Sequence, residues 1–234
     1  HDGTAKEYVI INCPEGGKLK ESIVAAHKDY TKLQNLKITG NICSDDFYFM
    51  RDSMNQLQSL NLKEVNIVKG NFEEWGNADP NRIPCAAFRY KKSLLRVVLP
   101  DKLNAIGNYA FEDCSYLTGS LNIPEGVTKI EGSAFAGCSS FNGSLTLPST
   151  LEVLGNTGQG RGPFQECGFV CELKLPEKLK FIGYESFCDC IGLYGELHLP
   201  SNLTYLGAEA FATCKNLNGS IEIPQGITQI LDNT

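Results

Sequence analysis

The side chains able to carry chemistry are few. Ten cysteines supply the thiol nucleophiles and candidate soft metal ligands in the 234 residues. Glu172 and Glu196 stand one repeat apart in the chain, a separation that would lay them in one column on adjacent strands, close enough for general acid and base work. The run Gly155-Asn156-Thr157-Gly158-Gln159-Gly160-Arg161-Gly162 has the glycine content of a phosphate cradle. Phe72 and the single tryptophan, Trp75, lie among Glu73, Glu74 and Asp79, the composition of an aromatic anchor with an acidic rim.

No catalytic set emerges from these groups. A shallow, open sheet face would give the two glutamates neither the enclosure nor the desolvation that acid-base catalysis needs. The glycine run is followed by no Lys-Ser or Lys-Thr and opens no long helix, so it reads as an inserted loop. His1, His27 and His198 are dispersed, which leaves no Cys-His or Ser-His-Asp arrangement. Cys167 with Cys171, and Cys188 with Cys190, lack nearby histidines, so no metal site and no cofactor are expected. Twenty-one Lys and Arg against 27 Asp and Glu give a net charge of −6, which argues against nucleic acid as a partner. Apolar runs fall far short of the roughly 20 residues that span a bilayer. The opening His1-Asp2-Gly3-Thr4 has neither the basic start nor the apolar stretch of an export signal.

The elements that would position these residues follow from internal repetition. Leu99-Pro100, Ile123-Pro124, Leu147-Pro148, Leu175-Pro176, Leu199-Pro200 and Ile223-Pro224 recur at steps of 24, 24, 28, 24 and 24 residues. Phe88, Phe111, Phe135, Phe164, Phe187 and Phe211 recur with them, each but the first followed three residues on by Cys114, Cys138, Cys167, Cys190 or Cys214; after Phe88 the place is held by Lys91. Within one unit Leu121 and Ile123 alternate as a strand does, whereas Ala134, Phe135, Cys138 and Phe141 recur at three and four, the period of a short helical turn. Pro124 ends the strand. A unit of this size cannot bury enough apolar surface by itself, so the units must stack, each strand joining a parallel sheet. Stacked copies set the five cysteines in parallel about 4.8 Å apart, too far for disulfides; a ladder of buried free thiols is expected.

The N-terminal third carries a related pattern. Leu33-x-x-Leu36-x-Ile38-x-x-Asn41-x-Cys43 and Leu57-x-x-Leu60-x-Leu62-x-x-Val65-x-Ile67 match the leucine-rich repeat signature. Between them Ser44 is expected to cap a helix with Asp45 and Asp46 in its first turn and Phe47, Met50 and Met54 on one face. Residues 68–84 break the period.

Leu-Pro-x-x-Leu-x-x-Ile-Gly-x-x-Ala-Phe-x-x-Cys, as it stands in residues 99–114, resembles the BspA-like leucine-rich repeat family, and the resemblance extends over residues 83–230. It implies adhesion or protein binding by surface or secreted proteins, with host matrix or plasma proteins among the partners, and implies no catalytic residue and no cofactor. The chain departs from the pattern at residues 155–163, at Lys91, and in a final unit that reaches Thr234 before its Ala-Phe-x-x-Cys, so a closing coil is expected to be missing.

The expected fold is an α/β leucine-rich repeat solenoid with a parallel sheet on one face and short helices or turns on the other. Residues 1–32 would form an N-terminal cap of strand plus helix, and residues 33–234 a stack of about eight coils. Strand residues that point away from the core form the expected protein-binding face: Arg96, Asn122, Thr146, Glu172, Lys174, Glu196, His198 and Glu222, flanked by Val98, Ser120, Ser144 and Ser220, with Phe72 and Trp75 as an added anchor. No aromatic platform is expected there. The expected function is a non-catalytic recognition or adhesion module, cell-surface or extracellular by resemblance. A carbohydrate-binding module and a spacer without a ligand are the alternatives.

Overall fold

The computed structural model describes residues 7–70, 79–158 and 160–231. The chain begins with β1 (Val9–Cys13), α1 (Leu19–Ala25), β2 (Asn35–Ile42), α2 (Ser44–Ser53) and β3 (Ser59–Ile67). Shorter strands follow: β4 (Arg82–Ile83), β5 (Arg96–Val98), β6 (Ala105–Ile106), β7 (Gly119–Asn122), β8 (Lys129–Ile130), β9 (Phe141–Thr146), β10 (Val153–Leu154), β11 (Cys171–Glu172), β12 (Phe181–Ile182), β13 (Leu193–Glu196), β14 (Tyr205–Leu206) and β15 (Asn216–Asn218). Every pairing between them is parallel. The result is a solenoid of about eight turns.

Two ladders run along it. The first holds the broader strands in three segments, β1-β2-β3-β5, β7-β9 and β11-β13-β15. The second, which the alternation pattern does not reveal, joins the two-residue strands in the order β14-β12-β10-β8-β6-β4. Between the ladders each proline carbonyl accepts from the N–H three residues on, as from Leu103, Val127, Leu151, Leu179 and Leu203 at 3.0–3.3 Å. That turn folds the next leucine or valine into the core. Residues 81–84, read from the sequence as part of an insertion, belong to this scheme: β4 opens the second ladder, and Asn81 N–H bonds the Ile67 carbonyl.

Two expectations about helices need correction. The Ala-Phe-x-x-Cys segment is not helical. Tyr109 and Asp113 sit at φ +58° and +52°, which breaks a right-handed helix. The N–H groups of Tyr109, Phe111 and Asp113 donate instead to the carbonyls of Gly132, Ala134 and Ala136 in the next coil at 2.7–3.1 Å. The spacing of three and four therefore reports a turn whose alternate donors stitch coil to coil. In α2 the N-cap is Cys43 rather than Ser44, because the Asp46 carboxylate reaches back to the Cys43 N–H at 3.0 Å. The same carboxylate accepts from Gly17 and Leu19 N–H at 2.7 and 2.9 Å, tying the first coil to the second.

Two columns run through the core. The rings of Phe88, Phe111, Phe135, Phe164, Phe187 and Phe211 stack in sequence at centroid spacings of 5.0–5.6 Å. Beside them Cys114, Cys138, Cys167, Cys190 and Cys214 are buried and unbridged. Each thiol donates to the carbonyl of the phenylalanine one coil back, at 2.9–3.2 Å. Lys91 shows why one coil differs. The coil before it contains α2, and the Lys91 ammonium spans the helix end to donate to the Arg51 and Met54 carbonyls at 3.1 and 2.9 Å.

Candidate functional site

Core formation consumes the inward residues of each strand and leaves the alternate ones outside. Arg96, Asn122, Thr146, Glu172, Lys174, Glu196, His198 and Glu222 are all exposed, as are Val98, Ser120, Ser144 and Ser220. Glu222 lies beyond β15, outside any strand. Phe72 and Trp75 lie outside the described residues.

The geometry within this face departs from the expected columns. Glu172 is opposite Tyr194, two residues before Glu196. Gly195 and Gly219 adopt φ +97° and +89°, and a Cβ at either would approach the Glu172 or Glu196 side chain to about 3 Å. Each glutamate instead lies beside the basic residue two places on, Glu172 beside Lys174 and Glu196 beside His198, both at 3.4 Å. The two carboxylates are thus separate and solvated. Ser144 is bound to Ser120 across the coils, N–H to Oγ at 2.9 Å.

Two features of the face were not legible in the alternation pattern. Where β5 and β7 fail to pair, an open groove of about 520 Å³ is lined by Lys63, Val97, Val98, Leu99, Asp101, Ser120, Asn122, Pro124 and Glu125. Its charged rim comes from Lys63 in β3 and from Asp101 and Glu125 at coil corners, and the charged residue directly after Pro100 and Pro124 is the signal that would have found it. Farther along, Val170, Ile191 and Tyr194 are at least half exposed. Val170 and Ile191 lie just before β11 and β13, where strict alternation assigns no face, and Tyr194 lies in β13.

The glycine run does not form an anion cradle. Its cation, Arg161, is held by Asp113 and Glu166, each at 2.9 Å, with Glu112 at 3.8 Å. The Arg161 carbonyl accepts from Ser133, and Asn156 bonds Asn108. A guanidinium ringed by three carboxylates has no charge to offer a phosphate. Among the described residues no three His, Cys, Asp or Glu side chains converge as a metal group, and no helix is long and apolar enough to cross a membrane.

The repeat geometry has a counterpart among known families. A family model described as the BspA type leucine rich repeat region matches six copies over residues 81–190 and 159–234. The chain belongs to this family. Among solved structures, this BspA-type chain resembles a leucine-rich repeat protein from Bacteroides ovatus at 25% identity and a TM-score of 0.52, over 73% of this chain and 46% of that one. The BspA-type chain thus spans a little under half the length of that neighbour. The leucine-rich repeat protein of T. pallidum matches at 24% identity and TM-score 0.49, over 71% of this chain and 80% of that one. A leucine rich cell surface protein from Faecalibacterium prausnitzii matches at 19% identity and TM-score 0.32, over 100% and 83%. No curated protein matches. Family and fold together make this a repeat module of the kind that serves protein interaction.

Proposed function

We propose that the chain is a non-catalytic recognition module that binds a protein partner through the exposed face of its first ladder, at a cell surface or outside the cell. The observation that carries this reading is the array itself. Side chains from Arg96 to His198 are exposed coil after coil, spent neither on the core nor on a closed site. The groove beside Asn122 and the exposed Val170, Ile191 and Tyr194 supply the apolar contact that polar columns alone lack. Family membership supports the location and the adhesive role.

The test is capture of matrix and plasma proteins by the immobilised chain, repeated with Glu172, Lys174, Glu196 and His198 replaced together by Ala, and separately with Tyr194→Ala. Lost or at least tenfold weakened capture is expected, since a buried aromatic anchor contributes about 2 kcal/mol or more. Unchanged capture by both variants removes this face from consideration.

A further inference from the structure

The first ladder is interrupted between β5 and β7, and both walls of the break carry unpaired backbone. Arg96 N–H donates to the Gln58 carbonyl, so Arg96 and Val98 turn their backbone groups toward β3, while Val97 and Leu99 turn theirs the other way. On the far wall Ile123 N–H donates to the Thr146 carbonyl of the next coil, which leaves Ser120 and Asn122 facing β5. Thr118 N–H reaches the Leu95 carbonyl at 3.0 Å, and beyond that bond none joins the two strands among the described residues. The groove described above opens there. Val97 holds the inward place that leucine takes at Leu121, Leu145, Leu173 and Leu197, and it is only partly buried where those are closed off. The floor is thus apolar, and the rim carries Asp101, Glu125 and Lys63. Ser149 holds Glu125 through its N–H and Oγ at 3.0 and 2.9 Å. The Asp101 carboxylate is exposed and makes no hydrogen bond or ion pair among the described residues.

We propose that this break docks an extended segment of a partner protein that carries a basic side chain; the inference rests on the reading of the face as a recognition surface and gives it a defined contact point. Walls of alternating N–H and C=O groups are matched by a ligand that offers both in alternation, as an extended polypeptide does. Side chains on one side of the segment enter the floor beside Val97 and Leu99. A lysine or arginine on the other side reaches Asp101 and Glu125. With Lys63 the rim holds two carboxylates against one ammonium, so it favours a cation over an anion. The mode is strand addition at an internal edge of the ladder, with backbone bonds giving register and side chains giving selectivity. The second break in the ladder, between β9 and β11, offers no such site. There Val170 N–H donates to the Gly143 carbonyl and Leu145 N–H to Cys171 Sγ, at 3.0 and 3.4 Å, and these bonds stitch the two coils together.

The experiment titrates the chain into the fluorescein-labelled heptapeptide TVRVTVR and reads anisotropy, with amide exchange followed by NMR. Saturable binding is expected. It weakens at least about tenfold when either alternate set of the peptide's amides is N-methylated, when its arginines are replaced by glutamate, and when the protein carries Asp101→Lys, an exposed corner whose side chain holds nothing in the fold. On binding, the amides of Val97, Leu99, Ser120 and Asn122 become protected. Absence of saturable binding, binding indifferent to N-methylation or to Asp101→Lys, or protection of the four amides by self-association without peptide would each overturn the proposal. The variant with Glu172, Lys174, Glu196 and His198 replaced by alanine binds this peptide unchanged. A failed titration alongside matrix or plasma capture that this variant abolishes overturns the groove alone, so the two failures are told apart.

Discussion

Cys171 stands where neighbouring coils place glycine, and it is the one partly exposed thiol among ten. The column cysteines are closed off in two ways. Each spends its S–H on a phenylalanine carbonyl, and burial pushes their thiols upward, Cys114 to about 12 and Cys214 to about 11. Iodoacetamide at pH 8 should therefore alkylate Cys171 in the native chain well before the other nine, which react on unfolding; early labelling of Cys138 or Cys167, read by peptide mass spectrometry, would contradict this. The position of the cysteines was legible in the sequence because their spacing tracks the phenylalanines. Their bonding was not, since which carbonyl a thiol reaches depends on the stacking offset. Glu131 was not legible at all. Burial works to raise its carboxyl, but Arg82 at 2.6 Å and Lys129 at 3.0 Å hold it below 4.5. A carboxylate depressed in the folded state stabilises above its unfolded value, and that contribution is lost as pH falls through the lower folded value. Glu131→Gln should lower stability by about 1–3 kcal/mol at neutral pH and flatten the decline in stability below about pH 4.5, as measured by urea unfolding across pH.

At the scale of elements, the junction between helical and turn-type coils decides what is tolerated. Lys91 supplies two donors to the end of α2, where a cysteine reaches only one carbonyl in other coils. Lys91→Met keeps the volume and removes both bonds, so a loss of about 1–3 kcal/mol is expected, with helix signal near α2 fraying first; a variant as stable as the parent would show that water replaces the ammonium. Close stacking also fixes glycines. A Cβ on Gly183 would stand 2.5–2.6 Å from the Asn156 backbone, an atom that cannot step aside, so Gly183→Ala should cost about 2 kcal/mol or more. The strands, the proline corners and the N-terminal helices could be read from period and composition because inward residues repeat. The second ladder could not, since two-residue strands such as Lys129–Ile130 are too short for any period to show. The turn was misread for a physical reason: φ-positive residues at Tyr109 and Asp113 mimic helical spacing while forming no helix.

For the whole molecule, stability is a chain of neighbour terms with unlike ends. At the N-terminal side of the turn column, the first carbonyls are covered from α2: the Tyr48 hydroxyl donates to Cys85 and Arg51 to Ala86, at 3.1 and 2.9 Å, and Phe47 meets Phe88 edge to face. In the last described coil Ile221, Ile223 and Ile230 are exposed. Opening should thus start at the last coil and travel inward, with amides of residues 209–231 exchanging at least about a hundredfold faster than those of Phe111 and Phe135. Phe135→Ala, at the middle of the ring column, should cost about 3–5 kcal/mol and split unfolding into two steps, because it weakens the ring contacts that help couple the two halves of the stack. The Arg82–Glu131 bridge works against that split by reaching across two coils. Combining Phe135→Ala with Glu131→Gln should therefore separate the two transitions further than either change alone, and a single coincident transition by fluorescence and circular dichroism in the double variant would show that the stack folds as one cooperative unit instead.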